Sequence, residues 1–187
     1  MKKLALLVFS LLLMVPALAS QADILPPDEL IRGTIKEVLQ LINKDSKAQT
    51  ANQKKLLEFI DAKVLPHFDF ERMTKLAVGR AWRTATPEQK TVLVAEFRIM
   101  LVRTYTRALS LYSDFSVDTK PLAVPANADE VTVKTVILRP GAPPIPVNYE
   151  MWKSAAGWKA FDLTVEGISL VATHRGSFAE KGSAIRH

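Results

Sequence analysis

The fold of this chain is decided by residues 130–166, which read EVTVKTVILRPGAPPIPVNYEMWKSAAGWKAFDLTVE. Apolar residues recur at every second position through most of Glu130–Leu138 and again over Ile145–Met151, and Trp158–Glu166 follows as a third predicted strand. Alternation of this kind is typical of strands with one buried face. The connections are short and contain proline, glycine or serine, which favour turns. The stretch therefore predicts an antiparallel meander.

The residues before this stretch have the period of helices, because apolar side chains recur at intervals of three and four. The clearest helix start is Thr86-Pro87-Glu88-Gln89, a capping box with proline at the first helical position. Helices followed by strands predict an α+β domain, with a helical N-terminal half packed on a curved antiparallel β-sheet. The expected helices cover about 26–43, 50–64, 69–77, 87–112 and 168–181, and a short strand runs from Phe115 to Thr119.

Residues 1–19 have the features of a cleavable export signal. Lys2 and Lys3 precede an apolar run of about 12 residues, and Ala17-Leu18-Ala19 is a small-x-small cleavage site. The run is shorter than the roughly 20 residues that span a bilayer. We therefore expect cleavage after Ala19, with cleavage after Ala22 as the alternative, and residues 20–187 to form a single domain outside the cytoplasm.

Composition excludes several classes of site. The chain has 187 residues and no cysteine, so it has no disulfide framework, no lipid-modified N-terminal cysteine and no thiolate metal site. It contains 25 basic and 19 acidic residues, and loss of Lys2 and Lys3 with the signal leaves a net charge of about +4. The charges are interspersed, which favours an ordinary solvated surface. Weak attraction to an anionic membrane or an acidic partner stays open, and nucleic acid is not expected.

The sequence has few of the groupings that enzymes use. It contains no nucleophile elbow, no Walker loop and no dinucleotide-binding glycine motif. Asp162 and Glu166 are four residues apart on the last predicted strand, where a buried carboxylate would serve as a base with a raised pKa. A solvated strand edge, or an ion pair with Arg80 or Arg83, is the favoured interpretation. The histidines are far apart and lack metal-ligand spacing: His67, His174 and His187.

Aromatic and methionine residues are spread over both halves of the chain. They indicate either an ordinary core or the wall of a cavity between the sheet and its covering helices. Methionine suits a cavity wall because its flexible side chain adapts to variable acyl chains. Periodicity alone does not distinguish a filled core from a lined pocket.

Three motifs carry a resemblance to a known family. Residues 68–82 read FDFERMTKLAVGRAW, residues 85–98 read ATPEQKTVLVAEFR, and residues 157–171 read GWKAFDLTVEGISLV. Together they resemble the MlaC or toluene-tolerance family of Gram-negative periplasmic proteins, in the right order over nearly all of the mature chain. The chain departs from the family at Phe161, where tyrosine is common, and in the turn 140–146, which has no basic residue.

The resemblance implies a phospholipid carrier of the periplasm that is not an enzyme and needs no metal and no cofactor, with phospholipid as its cargo. Such carriers shuttle lipid between an outer-membrane lipoprotein–porin complex and an inner-membrane ABC transporter complex with a ring of lipid-binding subunits, which maintains outer-membrane lipid asymmetry. The implied fold buries the acyl chains in a cavity between the sheet and the helices. A monomer is expected. The alternatives are an enzyme on a cone-shaped α+β fold using Asp162 or Glu166, and a periplasmic chaperone or adaptor.

The predicted lipid-binding residues are apolar side chains on the inferred inner faces, some of them within the family motifs. Arg80, Arg83 and Arg98 are candidates for the headgroup phosphate, although surface or helix-cap charge is the favoured interpretation of all three. The predicted lining residues are Met73, Leu76, Val78, Trp82, Phe97, Met100, Leu101, Tyr105, Val133, Tyr149, Met151, Trp158 and Leu170.

Overall fold

Helices precede strands in this computed structural model, which describes residues 24–44, 49–110 and 115–175. The predicted α+β class is confirmed. The signal at 1–19 and the expected helix ends at 112 and 181 lie outside the described residues. The helices are α1 (Pro27–Lys44), α2 (Gln49–Phe59), α3 (Phe70–Val78), α4 (Ala81–Thr84), α5 (Pro87–Ser110) and α6, which covers 170–175 at the end of the described part.

The strands form one antiparallel sheet in sequence order, as the alternation predicts. No described helix is both long enough and apolar enough to cross a bilayer. The strands are β1 (Ser116–Thr119), β2 (Glu130–Leu138), β3 (Ile145–Ser154), β4 (Gly157–Val165) and β5 (Ile168–Ser169).

The expected helix start at Ile168 is wrong, because Ile168 and Ser169 pair with the end of β4 as a two-residue strand. The turn between them explains this difference. Glu166 and Gly167 have φ angles of 51° and 82°. Two consecutive positive φ angles are typical of a type I′ hairpin, which returns the chain along the preceding strand. Helix α6 therefore begins only at Leu170.

A turn of π-helix, Ile60–Val64, interrupts the predicted second helix, and a 3-10 turn, Leu65–His67, follows it. The amide of Leu65 donates to the carbonyl of Ile60, one residue further back than in an α-helix. Pro66 has no amide hydrogen, so the α-helical ladder cannot continue through it. The chain therefore turns here toward the sheet, where the amide of Asp69 donates to the carbonyl of Ala160 at 2.8 Å.

Two predicted helix caps are confirmed. The Asp69 carboxylate accepts from the amide of Arg72 at 2.9 Å and caps α3. In the capping box of α5, the amide of Thr86 donates to Gln89 Oε1 at 2.9 Å, and the amide of Gln89 donates to Thr86 Oγ1 at 3.2 Å. Satisfying these end amides fixes where both helices start.

The core has two parts, and Phe68 packs against both. The first cluster joins α3, α5 and α6, with Phe161 and Leu163 of β4 packed against it. The second cluster joins α1 to the inner face of β2, β3 and β4. The buried members of the first cluster are Met73, Ala77, Phe97, Leu101, Leu170 and Val171. Those of the second cluster are Ile31, Val133, Met151, Trp158 and Ala160.

A β-bulge separates the regions where the two clusters contact β4. Glu150 pairs with Asp162 but Met151 pairs with Ala160, so Phe161 is an extra residue in β4. A bulge increases the local twist and redirects side chains. Phe161 accordingly packs on the first cluster, whereas Ala160 beside it belongs to the second. Near the bulge, the guanidinium of Arg72 lies 3.6 Å from the centroid of the Phe161 ring.

Candidate lipid-binding site

A groove of about 700 Å³ lies between α1 and the edge strand β1. The contributing residues of α1 are separated by three or four positions, so they share one helix face. The residues of β1 complete the opposite wall. The groove is lined by Arg32, Ile35, Lys36, Leu39 and Gln40 of α1, and by Ser116, Val117 and Thr119 of β1.

The floor of the groove is apolar and is continuous with the second core cluster. Ile35 lines the groove and also packs against that cluster. Val117 lies directly opposite Ile137, on the sheet face that carries Val133 and Met151. An apolar chain lying on this floor would contact side chains that adjoin the buried interior.

The rim of the groove carries two cationic side chains. Arg32 Nη2 lies 3.4 Å from the carbonyl oxygen of Thr119 and 3.6 Å from Asp28 Oδ2. Asp28 is buried, and its carboxylate also accepts from the amide of Leu122 at 3.3 Å. These contacts hold the Arg32 side chain beside β1, although 48% of it remains exposed. Lys36 is exposed and forms no ion pair with another described residue.

Nine of the thirteen predicted lining residues lie in or against the two clusters, four lie outside them, and none of the thirteen lines the groove. Leu76 and Tyr105 are exposed at 38% and 42%, Val78 is partly buried, and Trp82 is buried under the ammonium of Lys90. These four belong to neither cluster, and a role of all thirteen in binding lipid stays a prediction. Met73, Phe97, Met100, Leu101 and Leu170 lie in or against the first cluster, and Val133, Tyr149, Met151 and Trp158 in or against the second.

Tyr149 illustrates how apolar the second cluster is. It packs against that cluster, and burial raises the pKa of its phenol to about 12. A phenol held largely away from water is compatible with an interior that accepts apolar chains.

The three arginines considered for a headgroup do not lie at the groove. Arg98 pairs with Asp61, and its guanidinium lies 6.0 Å from the Phe70 ring centroid. Arg80 and Arg83 are exposed at the start and within α4. The groove instead places Arg32 and Lys36 together, and sequence inspection had not selected either residue.

The predicted placement of Asp162 and Glu166 on one strand is wrong, because β4 ends at Val165 and Glu166 lies in the exposed turn. Asp162 Oδ1 accepts from the amides of Leu163 at 2.8 Å and Val171 at 3.1 Å. Its other oxygen accepts from the Ser169 hydroxyl. The carboxylate thus joins β4 to the start of α6, and it pairs with neither Arg80 nor Arg83.

Comparisons with known proteins give the family. The model of the MlaC protein family matches residues 32–183. The chain belongs to the MlaC family. Toluene tolerance protein Ttg2D of Pseudomonas putida is 24% identical over 158 residues, which are 82% of this chain and 72% of that protein. A solved structure from Ralstonia solanacearum, described as a phospholipid-binding protein in complex with a phospholipid, is 32% identical with a TM-score of 0.73. The match covers 82% of this chain and 85% of that one.

Sequence reasoning did not predict the groove of this MlaC-family chain, although the pattern of its apolar residues is visible in the sequence. Ile35 and Leu39 belong to the apolar stripe of the first predicted helix, and Val117 lies on the first predicted strand. None of the three was among the predicted lining residues. Only the position of α1 relative to β1 shows that these side chains face an open space. Among the described residues, no group of three or more histidine, aspartate or glutamate side chains is placed to hold a metal ion.

Replacing Asp162 tests its structural role in this MlaC-family fold. We expect Asp162→Ala to lower the free energy of unfolding by about 2 kcal/mol, because two backbone amides and a hydroxyl lose their acceptor. Asp162→Asn keeps one side-chain carbonyl oxygen that can accept from both amides. Its free energy of unfolding should therefore fall by less than about 1 kcal/mol. Urea unfolding measures both variants. Equal losses would contradict the capping role.

The pKa shifts of the two described histidines, His67 and His174, predict how the free energy of unfolding depends on pH. Burial and the charge of Lys159 lower the pKa of His67, and burial lowers the pKa of His174, whose ring lies edge-on to Phe97. Below about pH 6.5 the unfolded chain therefore binds more protons than the folded one. The stabilisation that depends on neutral His67 and His174 is fully present above about pH 6.5. It is lost as the pH falls toward the lowered pKa values of the folded protein.

Urea unfolding between about pH 7.5 and pH 5 measures this loss. We expect the double variant His67→Gln/His174→Gln to have a flatter profile than the unmodified protein. A profile that declines equally in both proteins would contradict the assignment to these histidines.

Proposed function

We propose that this chain is a phospholipid carrier. The observation that carries the proposal is the likeness to the Ralstonia solanacearum phospholipid-binding protein in complex with a phospholipid, at 32% identity and a TM-score of 0.73. The match covers most of both chains, so it includes the sheet and the helices packed on it. Membership of the MlaC family and the similarity to a toluene tolerance protein support the same function.

The geometry supports a lipid in the space between helices and sheet. The inner sheet face is apolar where α1 covers it, and the groove adjoins this buried region through Ile35. Its floor is apolar and its rim is polar and cationic. This arrangement matches a molecule with apolar chains and a phosphate-bearing end.

The physical need for a carrier is large. Exposure of a methylene to water costs about 0.8 kcal/mol, so the roughly 30 methylenes of two acyl chains cost on the order of 20 kcal/mol. A free phospholipid therefore does not cross an aqueous compartment at a useful rate. A protein interior as apolar as the bilayer removes most of this cost. Such a protein needs no nucleophile, metal or cofactor, because the lipid is cargo and no bond is broken.

We further propose that the protein works in the periplasm, between an outer-membrane lipoprotein–porin complex and an inner-membrane ABC transporter complex, and so maintains outer-membrane lipid asymmetry. The export signal at residues 1–19 supports the compartment. The family resemblance of the three motifs supports the partners. Specificity would come from the shape of two acyl chains more than from the chemical type of the headgroup.

Transfer of labelled phospholipid between vesicles tests the carrier function. Donor vesicles contain a fluorescent phospholipid and a quencher, and acceptor vesicles contain neither. We expect residues 20–187 to raise the fluorescence at a rate proportional to protein concentration. A matched amount of an unrelated exported protein is the control. A rate equal to that of spontaneous exchange would contradict the proposal.

A further inference from the structure

We propose that the groove between α1 and β1 binds the phosphodiester of a phospholipid headgroup, with Arg32 and Lys36 as its cationic ligands. This inference rests on the proposed carrier function and assigns a place in the fold to the phosphate end of the cargo. It is carried by the charge of the groove lining, by the spacing of the two cations and by the continuity of the floor with the core.

The groove lining has a clear charge preference. Among the described residues that line it are two cationic side chains and no carboxylate. Asp28, which lies near Arg32, is not among the lining residues; it is buried and also accepts from the amide of Leu122. Both contacts of Arg32 with described residues use Nη2, whereas a guanidinium has five N–H donors in a planar fork. Donors that remain in the half-exposed fork suit a phosphate, which arginine binds in bidentate geometry.

The spacing of the two cations suits one shared anion. Lys36 follows Arg32 by four residues on α1, so the two side chains lie on one face and about 6 Å apart along the helix axis. A phosphodiester has two non-bridging oxygens, and each can accept from one of these cations. Gln40, a further turn along the same face, and Ser116 across the groove add neutral donors.

The floor of the groove indicates a lipid headgroup over a free phosphate. Ile35 lies between the two cations in sequence, lines the groove and packs against the second cluster. A phosphate held at the rim therefore lies beside an apolar surface, and Ile35 joins this surface to the cluster that contains Met151 and Val133. Inorganic phosphate would gain nothing from this surface, whereas the chains of a phospholipid gain burial on it.

Lys36→Glu is the sharpest variant, because Lys36 is exposed and its replacement removes no described ion pair. The variant reverses the charge beside the phosphate, so we expect the affinity for phospholipid to fall about tenfold. Uptake of a diacylglycerol with the same chains should change by no more than about twofold, since that lipid has no phosphate. Lys75→Glu, an exposed lysine of α3, is the control of equal charge and should bind both lipids normally.

Uptake from vesicles that contain either lipid is measured for residues 20–187 and for both variants. Arg32→Gln is measured as a second variant, and thermal unfolding confirms that it is folded. We expect Arg32→Gln to take up less phospholipid than the unmodified protein, and to take up diacylglycerol normally. Inorganic phosphate is added in excess, and we expect no displacement of bound phospholipid.

The outcomes separate this inference from the carrier function. Equal losses of phospholipid and diacylglycerol in Lys36→Glu, or an equal loss in Lys75→Glu, would overturn the phosphate assignment while the protein remains a carrier. Displacement by inorganic phosphate would overturn the assignment to a lipid headgroup. Failure of the unmodified protein to take up either lipid would contradict the carrier function itself.

Discussion

Leu39→Glu is expected to reduce phospholipid uptake from vesicles more than about tenfold in a protein that still folds. Leu39 is a partly buried residue on the apolar floor of the groove and is not a member of either core cluster. A carboxylate at this position either stays hydrated and blocks the path of an acyl chain, or is buried beside the chain at a cost of several kcal/mol. Its charge also repels the phosphate. Uptake is measured by lipid extraction, and folding by circular dichroism during thermal unfolding.

Val38→Glu provides the matched control. Val38 precedes Leu39 on the same helix, is also partly buried, and does not line the groove. We expect this variant to take up phospholipid with an affinity within about twofold of the unmodified protein. If Leu39→Glu is folded and fully loaded with lipid, the groove is not the route of the acyl chains. If both variants lose uptake equally, the effect reflects a change in α1 and not in the groove.

Met151→Ala is expected to lower the free energy of unfolding of the lipid-free protein by about 3 kcal/mol. Met151 has no exposed surface and lies in the second core cluster, opposite Val131 and Ala160. Truncation removes three heavy atoms and leaves a cavity that the paired strands cannot close. In the phospholipid-bound protein we expect a smaller loss, because an acyl chain that reaches this cluster can occupy the new space. Urea unfolding of both forms measures the difference.

Met151→Leu is the control, because it nearly conserves volume and should cost less than about 1.5 kcal/mol. The comparison of lipid-free and lipid-bound protein also decides between a filled core and a lined pocket at this position. An equal loss for Met151→Ala in the two forms would contradict contact between the chain and Met151. If Met151→Ala lowered the free energy of unfolding less than Met151→Leu does, tight packing of the second cluster would be contradicted.

Local sequence signals predicted most of the fold. The alternation over 130–166 fixed three strands and their order, since short turns join neighbouring antiparallel strands. The capping box at Thr86 and the cap at Asp69 placed two helix starts correctly. These features depend on residues close together in the chain, which a sequence displays directly.

The errors have non-local or unusual local causes. Glu166 adopts a positive φ although turns of this type favour asparagine, aspartate or glycine, so β5 could not be predicted from the residues of the turn. The π-helical turn at Ile60–Val64 depends on how that segment meets the rest of the fold. The groove depends on α1 meeting β1, and its contact from Arg32 to Thr119 spans 87 residues. Periodicity shows which face of an element is apolar but not which element covers it.

The most direct test of the carrier account is native mass spectrometry of residues 20–187, purified after export without added lipid, followed by organic extraction. The account predicts a mass increment of one lipid per chain, which extraction resolves into diacyl phospholipids. A protein of bare mass that also takes up no phospholipid from vesicles would contradict it. In that case the two apolar clusters would be an ordinary core, and the groove between α1 and β1 would have another occupant.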